Sequence, residues 1–304
     1  MPNLNDIKRR IKSVKNTQQI TKAMKMVAAA KLRKAQEDIA ASRPYAEKMF
    51  EMVGSLTKGT SKDENQLMSS SSNSGKIDLV LFTSDRGLCG GFNTNLIRAA
   101  ERFLVEHKGK EVRVRLVGTR GNEHFKKRGL EIPSTDHMGS IRPQMADARE
   151  RAQKIIKGFL DGDTDEVYIL YGKFVSALTQ TPTLKKLLPF EPESGAEATG
   201  EVEEKTESHG DSHNVEASGV FTYEPSEAEI LETLLPKAAE VMIFNSMLET
   251  AASEHAARMA AMDNASKNAK EMIGSLNLVY NRARQSAITT ELTEIVSGAE
   301  ALKG

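Results

Sequence analysis

From Lys237 to Ser297 the chain has no proline and a single glycine, Gly274. Over that span small and apolar residues recur on a four-three spacing, at Val241, Phe244, Leu248, Ala251, His255, Arg258, Met262, Ala265, Ala269, Met272, Leu276, Val279 and Ala283. His255 and Arg258 are the polar members of this row. After Ala283 it changes phase and resumes at Ile288, Leu292, Ile295, Ala299 and Leu302. Such a row is the seam of a coiled coil. A helix of ~60 residues is ~90 Å long at 1.5 Å per residue, more than a compact domain can bury. It needs a second long helix.

The N-terminus supplies one. Leu4, Ile7, Ile11, Val14, Thr21, Ala28, Leu32, Ala35 and Ile39 keep the same spacing, interrupted by Gln18 and Lys25, with Ile20, Met24 and Val27 beside the row. No Pro or Gly falls between Pro2 and Pro44, which predicts one helix of about 40 residues or more. Both helices leave the same intervening segment, so the pair is expected to be antiparallel. The C-terminal helix outruns its partner. Its end, "RARQSAITTELTEIV" from Arg282, is then expected to project alone. An isolated helix end is marginal in water, so insertion into another protein is predicted. Pro236 interrupts a helical run from Pro225, and a kink or a helix start is expected there.

The middle reads differently. "IDLVLFT", "EVRVRLVG" and "EVYILYGKF" are short, β-branched runs, and helical stretches are predicted at Thr94–His107, Asn122–Arg128 and Pro143–Leu160. The alternation predicts an α/β domain with a parallel sheet covered by helices. "SDRGLCGGFN" (Ser84 to Asn93) joins the first strand to the first of these helices, a geometry that can cradle phosphate. Yet neither G-x-x-x-x-G-K-[ST] nor G-x-G-x-x-G fits Gly87, Gly90 and Gly91. The glycines are read as permitting a tight turn, with Asp85 and Arg86 pairing or capping locally. "HGDSH" (His209 to His213) has metal-like spacing but sits in a Gly/Ser-containing acidic stretch, where a flexible loop is expected. "SSSSNSG" (Ser69 to Gly75) reads as a linker. No catalytic constellation, cofactor site or metal site is visible.

Charge narrows the classes. Lys plus Arg equals Asp plus Glu, 42 each, so bulk charge selects neither nucleic acid nor an acidic membrane. The distribution is uneven: Met1 to Gln36 is strongly basic, with Asp6 its one acid, and Glu191 to Ser218 is acidic, with Lys205 its one base. The basic helix could suit DNA, but its apolar stripe and long partner favour a packed helix. The lone Cys89 permits no intramolecular disulfide. No apolar run reaches the ~18 residues of a membrane span, and the basic N-terminus lacks the apolar core of a secretory signal.

"IKRRIKSVKNTQQITKAMKMVAAAKLRKAQ", "SDRGLCGGFN", "SEHAARMAAMDNASKNA" and "NRARQSAITTELTEIVSGAEAL" together resemble the gamma subunit family of F-type ATP synthase, in that family's order. The resemblance implies an antiparallel two-helix coiled coil plus a central Rossmann-like α/β domain. It divides the chain into an N-terminal coiled-coil helix (1–58), a linker (59–76), the α/β domain (77–190), an acidic insert (191–218), and a return strand with the C-terminal coiled-coil helix (219–304). It further implies a non-catalytic central-stalk rotor, carrying torque between a membrane c-ring and an alpha/beta hexamer that makes ATP. The implied partners are the alpha, beta and epsilon subunits and the c-ring. Residue by residue, Arg284, Gln285, Thr289 and Glu291 match the segment touching the beta catch loops. Met24, with Lys25 beside it, matches a position near the beta subunit's acidic lever, and Arg258 lies on the facing helix. Phe221, Tyr223 and Glu224 match the strand end near the c-ring and epsilon. No chloroplast-type cysteine pair or mitochondrial transit peptide is seen, so a bacterial form on the cytoplasmic face of the inner membrane is expected. The rival reading is a nucleotide-binding α/β protein with coiled-coil arms.

Overall fold

A computed structural model describes residues 4–59, 65–69, 75–129, 135–136, 138, 142–191 and 226–302. Helix α1 spans Leu4–Gly59 and helix α5 spans Glu227–Ala301. At 1.5 Å per residue they are ~84 and ~112 Å long. They run antiparallel: Ser42 meets Asn245, and Lys25 meets Asp263 farther along. Carrying that register 21 residues from Lys25 to Leu4 brings α5 to Arg284. Beyond it, every residue from Ile288 to Leu302 is exposed. Leu292 (57%) and Ile295 (67%) therefore stand in solvent.

The predicted seam holds through Ala269 and then moves. Met272 and Val279 are exposed, while Ile273, Leu276, Tyr280 and Ala283 are partly buried. Leu276 and Ala283 keep the predicted row, whereas Ile273 and Tyr280 take the places of Met272 and Val279 one position on, the direction in which a straight α-helix drifts against a 3.5-residue repeat. Pro236 does not start the helix. Ser226 does: its hydroxyl accepts from the Glu229 amide at 3.3 Å in an S-x-x-E box. The helix continues through Pro236, as α1 does through Pro44.

Between the helices lie β1 (Lys76–Phe82), α2 (Phe92–Glu106), β2 (Glu111–Val117), α3 (Thr119–Lys127), β3 (Thr135–Asp136), α4 (Met145–Leu160), β4 (Glu166–Phe174) and β5 (Gln180–Leu188). The sheet order is β3-β2-β1-β4-β5. The first four strands are parallel, as expected, but β5 is antiparallel to β4, so the sheet is mixed. Sequence reading missed β5 because "QTPTLKKLL" is half polar and holds Pro182, which an edge strand tolerates.

Strand alternation divides the core. Ile77, Leu79 and Leu81 face α2 and α3, whereas Val80 and Phe82 face α4, α1 and α5. Leu67 and Met68, just after α1, are buried in the second of these layers. Farther along the helical pair the packing narrows to Leu32 and Ala35 against Ala252 and Ala256. Asp78 lies buried on β1, held by Arg113 and Arg115 at 2.7 Å each. The supposed return strand lies outside the described residues, as do Ser70–Ser74 and "HGDSH".

Candidate functional site

The glycine turn leaves β1 at the point where the sheet order reverses, between β1 and β4. In open α/β sheets this is where ligands usually bind. Here the crevice is taken by α5. Within the turn, the Ser84 hydroxyl donates to the Arg86 carbonyl at 2.7 Å, and Asn93 bonds the Ser84 amide at 3.0 Å. Asp85 caps α3 by accepting from the Thr119 amide at 2.9 Å and its hydroxyl at 3.0 Å. Gly90 has φ +57°, and even Leu88 has φ 64° with its side chain in solvent.

The polarity of the turn decides its chemistry. A phosphate cradle presents amide N–H groups. This turn presents carbonyls: Arg258 of α5 donates to Gly87 O at 3.1 Å and to Arg86 O at 3.3 Å, and pairs with Glu254 at 2.7 Å. Both side chains are nearly covered, at 12% and 13% exposure. Burial raises the Glu254 carboxyl, and Arg258 pulls it back. Burial also lowers His255 to about 4, aided by Arg258 and Lys31. Its Nδ1 has no hydrogen-bond partner among the described residues. Burial pushes the Cys89 thiol up, the opposite of an activated nucleophile.

Two further bonds join α5 to β4. The Ser253 hydroxyl donates to Gly172 O at 2.9 Å, and Glu249 accepts from the Phe174 amide at 2.6 Å. Sequence reading missed both residues. The polar breaks at His255 and Arg258 were the one available signal that this stretch of α5 faces something besides α1.

Met24 lines a cavity of about 630 Å³ with Lys31, Leu88, His255 and Arg258. Lys25 is half-exposed and pairs with Asp263 at 2.6 Å. That bond, with a second from Lys267, holds the Asp263 carboxyl down to about 2. Arg284, Gln285, Thr289 and Glu291 are exposed at the far end of α5, some twenty-six residues beyond Arg258, or ~39 Å along the helix. The structure therefore brings Met24, Lys25 and Arg258 to one region and leaves the other four apart. Phe221, Tyr223 and Glu224 lie outside the described residues.

A family model described as ATP synthase matches residues 3–302. The ATP synthase gamma chain of Geobacter sp. (strain M21) is 49% identical over the whole of both chains. That of Chlorobaculum tepidum is 45% identical, again over the whole of both. The chain belongs to the ATP synthase gamma chain family. The fold agrees with that membership. A chain of the Euglena gracilis mitochondrial ATP synthase (OSCP/F1/c-ring, rotational state 3) superposes with a TM-score of 0.66 at 21% identity, covering 98% of this chain and 94% of that one. A central stalk/c-ring chain from Tetrahymena thermophila gives 0.58 at 23% identity, covering 81% and 99%. In this chain the glycine turn is thus a socket for its own helix. Among the described residues no helix is long and apolar enough to cross a membrane.

Proposed function

We propose that this chain is the central-stalk rotor subunit of an F-type ATP synthase, non-catalytic itself, held peripherally on the cytoplasmic face of a bacterial inner membrane. One observation carries the reading: an α/β domain packs against one end of a two-helix shaft, on the C-terminal part of α1 and the N-terminal half of α5, and the longer helix runs on at the other end, bare and apolar-bearing, past the end of its partner. A shaft must be stiff, and a coiled coil supplies stiffness. Its tip must touch a bearing without locking to one angle. Small residues such as Ala283, Ser286 and Ala287, among mixed charges, suit that task.

In this reading Arg284, Gln285, Thr289 and Glu291 touch the catalytic hexamer, and Met24 and Lys25 meet it lower on the shaft. Arg258 serves there through its position beneath Met24. Phe221, Tyr223 and Glu224 serve the c-ring and epsilon end. Because one asymmetric shaft offers a different face to each of three equivalent catalytic sites, its angle biases their conformational equilibria. Proton flow through the c-ring then turns the shaft and drives ATP synthesis. The test is purification of the tagged chain from native membranes, followed by single-molecule observation of a probe on its α/β domain. Co-purification of alpha, beta, epsilon and c subunits with ATP-driven rotation is expected. A chain recovered without the hexamer, or an active hexamer complex whose probe never turns, refutes the proposal.

A further inference from the structure

Polar ties join the helical pair to the α/β domain at several levels. Arg142 with Asp38 and Arg149 with Glu240 join arginines more than half exposed to carboxylates that are nearly covered. The ties on the covered side of α5 are of another kind. Strand β1 pairs with β4 only as far as Leu81 opposite Leu170, while β5 continues to Phe174. The last residues of β4 therefore overrun β1, and one edge has no strand beside it. Two backbone groups on that edge, Gly172 O and Phe174 N, are satisfied by Ser253 and Glu249 of α5.

The spacing fits. Ser253 and Glu249 are four apart on a helix, ~6 Å of rise. Gly172 and Phe174 are two apart on a strand, ~6.6 Å. A slip of α5 by one residue would break both bonds at once. Gly172 lies in contact range of α5, since an added Cβ would stand 3.4 Å from Ser253 Cβ. Apolar clusters hold the same two bodies together, but hydrophobic contact is non-directional and tolerates rotation. Hydrogen bonds weaken steeply with angle.

We infer that Glu249 and Ser253 are positioning residues, whose bonds to the overrunning end of β4 set and stiffen the angle at which the α/β domain is held about the shaft. This rests on the rotor reading and adds to it a place, besides Arg258 at the glycine turn, where torque passes from domain to helix.

The experiment uses complete ATP synthase, immobilised through its hexamer, with a probe on the α/β domain and nucleotide withheld. The angular spread of the probe at rest is recorded. Glu249→Ala/Ser253→Ala is expected to at least double the angular variance. Glu249→Gln keeps an acceptor oxygen for the Phe174 amide and is expected to match the unmodified enzyme. Should the double variant not assemble, Ser253→Ala alone removes one hydroxyl without altering packing and is expected to broaden the distribution measurably. An unchanged width in the double variant or in Ser253→Ala, or a Glu249→Gln distribution as broad as that of Glu249→Ala, overturns the inference. Failure of the rotor reading would look different: the unmodified enzyme would hydrolyse ATP without turning the probe.

Discussion

Replacing Gly172 with alanine tests how closely β4 packs against α2, beside the joint between sheet and shaft. The new methyl would lie 2.7 Å from Phe92 Cε2 and 3.2 Å from its Cζ. Comfortable carbon–carbon separation is ~3.5–4.0 Å, so the ring must retreat by ~0.8 Å or more. Phe92 is buried, which argues for a penalty, but it also lines a crevice of about 230 Å³ beside Gly172 and Ala257. The ring has somewhere to go, which places the cost within the ordinary overpacking range, ~2 kcal/mol. Urea unfolding of the purified chain measures it through the midpoint at constant slope. Phe92→Leu removes the colliding edge and alone should cost ~1 kcal/mol. The double variant should then cost less than the sum of the two, by ~1 kcal/mol, as expected for residues in contact. A Gly172→Ala penalty below ~0.5 kcal/mol, or strict additivity with Phe92→Leu, would refute the steric account of this approach.

Asp78→Ala strips the shared carboxylate from Arg113 and Arg115. Because both guanidinium groups keep some access to water, a loss near the lower end for broken buried pairs is expected, ~3 kcal/mol by denaturant titration. His255, depressed to about 4, stays neutral in the folded chain while its unfolded form takes a proton below about pH 6.5. Its contribution is complete above pH 6.5 and drains away as pH falls from 6.5 to 4, by up to ~3 kcal/mol. Glu249 and Glu254, both raised by burial, act in the opposite sense, since their contribution is lost as pH rises through their folded values. His255→Leu should flatten the acid side of the urea midpoint-against-pH curve, and an unaltered slope would count against the assignment. Lys25→Glu sets a carboxylate against Asp263 and should lower ATP-driven proton pumping relative to hydrolysis. Lys25→Glu/Asp263→Lys restores the internal pair. Recovery in the swap assigns the effect to the shaft, and persistence assigns it to a partner surface.

Much of the architecture was written in periodicity. The two four-three rows, free of proline for long stretches, demanded a long antiparallel pair and a projecting tip, because no compact body can cover that much helix. The β-branched runs between helical stretches demanded a largely parallel sheet. The missed strand β5 shows where pattern fails. Its residues alternate weakly, and what makes it a strand is the open edge of the preceding strand β4, onto which the short turn 175–179 folds it back. The same holds for the site. Composition and motif could say that "SDRGLCGGFN" lacks the lysine and spacing of a phosphate loop, but not what fills the turn instead. Only the fold sets Arg258 against the carbonyls of Arg86 and Gly87, and Glu249 and Ser253 against the end of β4. Those pairings join residues 75 to 172 positions apart. Helical and strand period are properties of neighbours along the chain, whereas which backbone groups remain to be satisfied at a sheet's edge is known only once the strands have been laid side by side.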